Sequence, residues 1–134
     1  MAVVVTGANG FIGSAILESL HSSGINAIGT ARLTGPNCVG IGQVDEATNW
    51  RGVLQGCEVL VHTAARVHPM NPSTGVGPDP FQTTNVKGTI NLAQQAASAG
   101  VKRLIFLSSI KAMGESGFYS EDMPCSPQDA YGRS

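Results

Sequence analysis

The sequence predicts an α/β domain built on a doubly wound parallel sheet, and three observations predict it. Short apolar runs alternate along the chain with stretches of helical periodicity, the order that a parallel sheet with crossover helices requires. The first run, Ala2–Thr6, is continuously apolar, as a strand covered on both faces should be. A glycine-rich turn over residues 7–13 joins that run to the first helix.

The remaining elements follow in order. Phe11, Ile12, Ala15, Ile16 and Leu20 recur at three- and four-residue spacing and mark the first helix, which Gly24 ends. Strand two is read over residues 25–30 and strand three near 39–44. Roughly ten residues join them, short of the dozen that a parallel crossover usually needs, so little more than a loop covers that face. A short helix over 50–55 has Asn49 as its cap, and strand four covers 58–63. A long connection over 64–80 carries Pro69, Pro72, Pro78 and Pro80 and is of the length that is either functional or mobile. Asp79 and Pro80 then open the clearest helix, Gly100 stops it, and Val86, Ile90, Ala93 and Ala97 are its expected buried stripe. Strand five covers 103–108, and Asp129-Ala130-Tyr131 opens one more helix.

Composition narrows the function classes. Of 134 residues, 42% are hydrophobic and 13% charged, which is globular and not disordered. A net charge of −1 provides no basic field for nucleic acid or an anionic membrane, so neither is an expected partner. No apolar run reaches membrane-spanning length. Cys38, Cys57 and Cys125 are scattered without metal-ligand spacing, which points to no metal site and to a reduced, cytoplasmic compartment.

The chemistry starts at Thr6-Gly7-Ala8-Asn9-Gly10-Phe11-Ile12-Gly13, placed between a strand and a helix. Such a turn lets backbone N–H groups approach a pyrophosphate, which then sits at the positive end of the helix. Gly7 permits the tight turn, Gly10 leaves room for the phosphates, and Gly13 lets the helix lie close to the sheet. The spacing departs from the common glycine–any–glycine–any–any–glycine fingerprint. It resembles the Thr-Gly-x-x-Gly-x-x-Gly of the short-chain dehydrogenase/reductase superfamily, especially its extended branch. Four further blocks carry the resemblance: Val61-His62-Thr63-Ala64-Ala65, Asn85-Val86-Lys87-Gly88-Thr89, Phe106-Leu107-Ser108-Ser109-Ile110 with Gly114, and Tyr131-Gly132-Arg133-Ser134. The overall likeness is to bacterial UDP-glucose 4-epimerase-like enzymes of the NAD-dependent epimerase/dehydratase family.

That resemblance implies that residues 1–134 are one NAD(P)-binding domain of the Rossmann type, truncated after about five strands, with the substrate domain absent. It implies cofactor contacts at Gly7, Gly10, Phe11, Ile12, Gly13, Thr63, Ala64, Ala65, Asn85 and Ser108. It further implies a nucleotide-sugar substrate and a homodimeric full-length protein. At the end of strand two, Ala31 stands where NAD-preferring epimerases carry Asp, and Arg32 follows. A guanidinium there either holds the 2′-phosphate of NADP by a forked contact or is solvated, so the cofactor is NAD or NADP. Gln43 and Val44 are the pair expected near the adenine, with Asp45 the competing position.

Oxidising a sugar alcohol needs a base at the hydroxyl, and a phenol, with its pKa near 10, needs a nearby cation to serve. By resemblance Tyr131 is that base, and its lysine stands four positions on, at 135, outside the 134 residues; alone they are expected to be inactive. Ser109 matches the family's catalytic Ser/Thr, and Ser108 lies nearer the nicotinamide. His62 reads as a packed residue, Lys87 as an exposed one, and Arg66 and His68 as either cleft-lining or solvated. The implied activity is epimerisation through a keto intermediate. A dehydratase or reductase of the same superfamily would use the same residues, although Ile110-Lys111 replaces the Asp-Glu of dehydratases. A non-catalytic NAD(P)-binding regulator is the alternative of another class.

Overall fold

The computed structural model describes residues 2–67 and 79–134. His68 and most of the long proline-bearing connection lie outside the described residues. The elements are β1 (Ala2–Thr6), α1 (Phe11–Ser22), β2 (Ala27–Ala31), β3 (Cys38–Gly40), α2 (Arg51–Leu54) and β4 (Cys57–His62). A π-helical segment, Gln82–Gly88, then runs into α3 (Thr89–Ser98), followed by β5 (Arg103–Phe106), a 3₁₀ turn (Ile110–Ala112) and α4 (Ala130–Arg133).

The five strands form one sheet in the order β3-β2-β1-β4-β5, every pair parallel. The chain leaves β1 to one side for β2 and β3, then returns past it for β4 and β5. That reversal opens a crevice beyond the carboxyl ends of β1 and β4, where open α/β sheets bind ligands. Alternate side chains of β1 feed two cores. Val3 and Val5 pack with Ala8 and Leu17 under α1, while Val4 packs with Trp50, Leu54, Leu60, Leu92 and Ala96 under α2 and α3.

The short link between β2 and β3 is a loop, as its length demanded. Gly35 and Cys38 exchange both backbone hydrogen bonds, at 3.1 and 3.0 Å, and Asn37 takes a left-handed φ of 55°. The chain thus doubles back beside β3 and enters it without a crossover helix. Strand three ends at Gly40, earlier than expected, because Gly42 (φ +71°) turns the chain away. Helix termini follow local chemistry more closely. Asn49 Oδ1 accepts from Arg51 N at 3.0 Å, Asp79 Oδ1 from Phe81 N at 2.9 Å, and Asp129 Oδ1 from Gly132 N at 2.6 Å.

The apolar periodicity of both helices is met only in part: in α1, Ile16 and Leu20 pack against the core. In α1 the buried residues are Gly13 and Leu17, whereas Phe11 and Ile12 are 95% and 47% exposed. In α3 they are Leu92 and Ala96, preceded by Gly88 in the π-helical segment, whereas Ile90 and Ala97 face outward. Two causes shift the α3 face. A Cβ on Gly88 would stand 2.8 Å from Val44 Cγ1, so the closest approach falls on a residue with no apolar signal. Asn91 and Gln95 also turn inward, their side-chain amides donating to the Thr48 carbonyl at 2.8 Å each. Gln95 Oε1 accepts from Trp50 N at 2.9 Å. This helix is docked partly by hydrogen bonds.

Candidate functional site

β1 ends in Thr6 and the chain turns at once through Gly7, whose φ of +68° favours glycine. A Cβ on Gly7 would stand 2.9 Å from the Ala64 backbone, just past β4. One on Gly13 would stand 2.3 Å from the Gly7 carbonyl oxygen and 2.8 Å from Thr63 Oγ1. The turn, α1 and the end of β4 therefore meet with no room for a side chain between them. Gly10 is different: its nearest obstacle is the Gly7 carbonyl at 3.2 Å, and it borders open space. It is also the N-cap of α1, with no side chain capping the helix. Phe11 and Ile12 point outward, so what they present at this end is their backbone N–H groups, which have no carbonyl one helical turn earlier.

A cavity of about 380 Å³ opens here at the carboxyl edge. Gly7, Asn9 and Gly10 line it from the turn, Thr30, Ala31 and Arg32 from the end of β2, and Ile41, Gly42, Gln43 and Val44 from beyond β3. Thr63, Ala64, Ala65, Arg66 and Val67 follow β4, and Thr84 closes the far wall. Of the expected cofactor positions, Gly7, Gly10, Arg32, Gln43, Val44, Thr63, Ala64 and Ala65 are thus brought together. Gly13 lies buried beneath the turn. Asp45 does not line the cavity; its carboxylate accepts from Ala47 N at 2.9 Å and from the Thr48 hydroxyl at 3.1 Å. Asn9, Thr30, Ile41, Gly42, Val67 and Thr84 were not among the anticipated contacts. The premature end of strand three hid Ile41 and Gly42, which stand just past a strand's carboxyl end, where a ligand-binding loop is to be sought.

A buried network fixes the floor. In the β1–β4 register Thr6 lies opposite His62. Thr6 Oγ1 accepts from Thr63 N at 3.2 Å and Ala64 N at 3.3 Å. Its own proton therefore goes to His62 Nδ1, 2.6 Å away, and Nε2–H donates to Thr89 Oγ1 at 2.9 Å. Thr63 Oγ1 donates back to the Thr6 carbonyl at 2.6 Å. Burial pushes the His62 imidazole down to about 4, so it is neutral at neutral pH and packs rather than acting as a base. Asn85 braces the neighbouring wall: its Oδ1 accepts from Arg66 N at 2.7 Å, and its Nδ2 donates to the Arg66 carbonyl at 2.9 Å and to Ser134 Oγ at 2.8 Å.

The expected catalytic residues stand past β5. Ser108 is exposed. Ser109 caps the 3₁₀ turn, its Oγ accepting from Lys111 N at 3.2 Å. Tyr131 is half-buried in the first turn of α4, with its ring 6.2 Å from that of Phe81. Lys111 ties the two segments together by bridging Glu115 and, at 3.3 Å, Asp129, the residue that caps α4. A Cβ on Gly132 would stand 2.4 Å from the Lys111 carbonyl oxygen, so this packing requires glycine beside Tyr131. Among the described residues no hydrogen bond joins Ser109 to Tyr131, no group of His, Cys, Asp and Glu could hold a metal ion, and no helix is long and apolar enough to cross a membrane.

The family model for the NAD dependent epimerase/dehydratase family matches residues 3–134, and the chain belongs to that family. A UDP-glucose 4-epimerase of Vibrio cholerae is 34% identical over 99% of this chain and 43% of its own length. A short-chain dehydrogenase/reductase superfamily protein of Agrobacterium tumefaciens, solved with bound NAD, superposes with a TM-score of 0.82 at 26% identity, covering 99% of this chain and 41% of that one. MoeE5, solved with UDP-glucose and NAD, superposes with a TM-score of 0.81 at 32% identity, covering 99% and 45%. The chain therefore spans less than half the length of these relatives.

Proposed function

We propose that this chain is the cofactor-binding part of a nucleotide-sugar epimerase that uses NAD or NADP. The observation that carries this reading is the cavity at the β1–β4 reversal. Backbone from the glycine turn and from Thr63-Ala64-Ala65 walls it, and the Ser109 and Tyr131 segments follow β5 on the same edge. The residues present fit a dinucleotide. Gly10 stands where a larger side chain would enter the cavity, the helix behind it has no side-chain cap, and Arg32 and Arg66 border a space that no carboxylate of the described residues lines. Gly7 and Gly13 shape the turn, Phe11 and Ile12 offer N–H groups, Gln43 and Val44 border the adenine end, and Asn85 holds the wall that carries Arg66.

When bound, the nicotinamide supplies a hydride acceptor that later returns the hydride to the sugar. Tyr131 takes the proton from the reacting hydroxyl, Ser109 hydrogen-bonds the same oxygen, and Ser108 lies at the nicotinamide end. The relatives support a sugar nucleotide as substrate, one being a UDP-glucose 4-epimerase and another being solved with UDP-glucose. Ile110 and Lys111, where dehydratases carry an acid pair, favour epimerisation over dehydration. In this reading the full-length protein is a cytoplasmic homodimer with no nucleic-acid or membrane partner.

The test is interconversion of UDP-glucose and UDP-galactose by the full-length protein with added cofactor. Tyr131→Phe should lower turnover by roughly 10²–10⁴-fold while nucleotide binding persists. Turnover that survives this substitution would remove Tyr131 as the base. A deoxy-keto sugar product would make the protein a dehydratase, and net consumption of reduced cofactor a reductase.

A further inference from the structure

We infer that the cavity selects a dinucleotide carrying a 2′-phosphate, so the protein prefers NADP(H) to NAD(H), with Arg32 as the specificity-determining residue. The inference rests on the dinucleotide reading above and goes one step further, to the identity of the group at the far end of the cofactor.

Three observations carry it. First, among the described residues the cavity lining contains Arg32 and Arg66 and no aspartate or glutamate. A site for an unphosphorylated ribose places a carboxylate at the end of the second strand to accept its hydroxyls, and that carboxylate repels a 2′-phosphate. Here the position is Ala31, buried and without a polar atom in its side chain. Second, the nearby acids are engaged elsewhere. Asp45 accepts from Ala47 N and Thr48, and Glu46 pairs with Lys87 at 3.2 Å. Third, the Arg32 backbone is pinned at the rim while its side chain is not. The Ala31 carbonyl accepts from Ile41 N at 2.9 Å and the Arg32 carbonyl from Gly42 N at 3.2 Å, which hold the end of β2 against the loop after β3. The guanidinium itself is exposed and has no ion-pair partner among the described residues. An unpaired, permanently charged fork beside a cavity without carboxylates is complementary to a phosphate dianion and indifferent to a hydroxyl.

The experiment is calorimetric titration of the full-length protein, stripped of nucleotide, with NADP⁺ and NAD⁺, and with the half-molecules 2′,5′-ADP and 5′-AMP. NADP⁺ should bind at least about tenfold more tightly than NAD⁺, and 2′,5′-ADP should exceed 5′-AMP by a similar factor, since hydrogen bonds to charged groups are worth roughly ten- to a hundredfold. Arg32→Gln should close both gaps by weakening NADP⁺ and 2′,5′-ADP at least about tenfold more than NAD⁺ and 5′-AMP, and Ala31→Asp should reverse the preference. Arg32 is exposed, so an unchanged melting curve separates these effects from misfolding. Equal or tighter binding of NAD⁺ by the unmodified protein overturns the inference and leaves the dinucleotide reading standing. A preference for NADP⁺ that survives Arg32→Gln overturns the assignment to Arg32. Failure to bind any of the four ligands overturns the dinucleotide reading itself.

Discussion

The two ends of the site are built in opposite ways. Around the glycine turn, Val3, Val4 and Val5 are at most 4% exposed, and the contacts that shape the cavity are made by backbone and by neutral buried hydroxyl and imidazole groups. Past β5, residues Leu104, Ile105, Phe106 and Leu107 are 41–54% exposed, and one surface ion pair, Lys111–Asp129, ties the Ser109 segment to the Tyr131 segment. β1 has a strand on each side, whereas β5 pairs with β4 alone. A nucleotide cradle made of backbone needs close packing and tolerates no added atoms. Reacting groups need access and are placed by side chains that solvent reaches. The first end should accordingly respond to steric change and to acid, the second to loss of a charge.

The steric contrast is the largest. Gly13→Ala forces a Cβ to within 2.3 Å of the Gly7 carbonyl. It should cost about 3 kcal/mol, a fall of roughly 10 °C in Tm. Gly10→Val should lower nucleotide affinity at least about tenfold in titration calorimetry with Tm nearly unchanged, because its Cβ enters the cavity and not the protein. If the two substitutions behaved alike, the distinction between a packing glycine and a ligand-facing one would fail.

Acid gives the next effect. Burial holds the His62 imidazole down to about 4 in the folded chain, against 6.5 for a solvated imidazole, so protons bind the unfolded chain first. The stability that neutral His62 contributes is complete above about pH 6.5 and is lost as pH falls towards 4, amounting to about 2 kcal/mol by pH 5. Chemical denaturation at pH 7 and pH 5 should show that loss in the unmodified protein and a smaller one in His62→Gln. An identical pH dependence in both would mean that the imidazole does not drive it.

The smallest effect concerns the proposed catalytic end. Lys111→Met removes the bridge to Asp129 without altering Ser109 or Tyr131 chemically, so turnover should fall roughly tenfold through misplacement of the Tyr131 segment while Tm holds. Lys111→Arg should restore most of the loss. A kcat that is unmoved by Lys111→Met would show that Gly132 and the backbone suffice to seat Tyr131.

Much of this was legible locally. The glycine turn, β1, and the helix ends at Asp79, Gly100 and Asp129 announce themselves because capping and left-handed turns depend on neighbouring residues. Helix faces were legible only in part. Ile16 and Leu20 pack against the core as their spacing implies, but Gly13 and Gly88 mark the points of closest approach by lacking a side chain, and Asn91 and Gln95 dock α3 through amides, so an apolar stripe captures only part of each face. The Thr6–His62–Thr89 network was invisible for another reason. Its members are separated by 56 and 27 residues and meet through strand register and helix docking. Gln43, Val44, Thr63, Ala64 and Ala65 were placed by motif, and the cavity gathers them; Ile41 and Gly42 were missed with the true end of β3.

The meeting of Gly7, Gly13 and Thr63 also bears on how such a protein changes over generations. Where three backbone segments touch, nearly every replacement is purged for its effect on folding before its effect on binding can be selected. Heritable variation in what the cavity accepts is thereby channelled to its rim, to positions such as Arg32 whose side chains stand free of the packing. On the proposed role of Arg32, a lineage carrying this turn would exchange one nucleotide for another by altering a residue or two at the end of β2, with the cradle itself passed on unaltered.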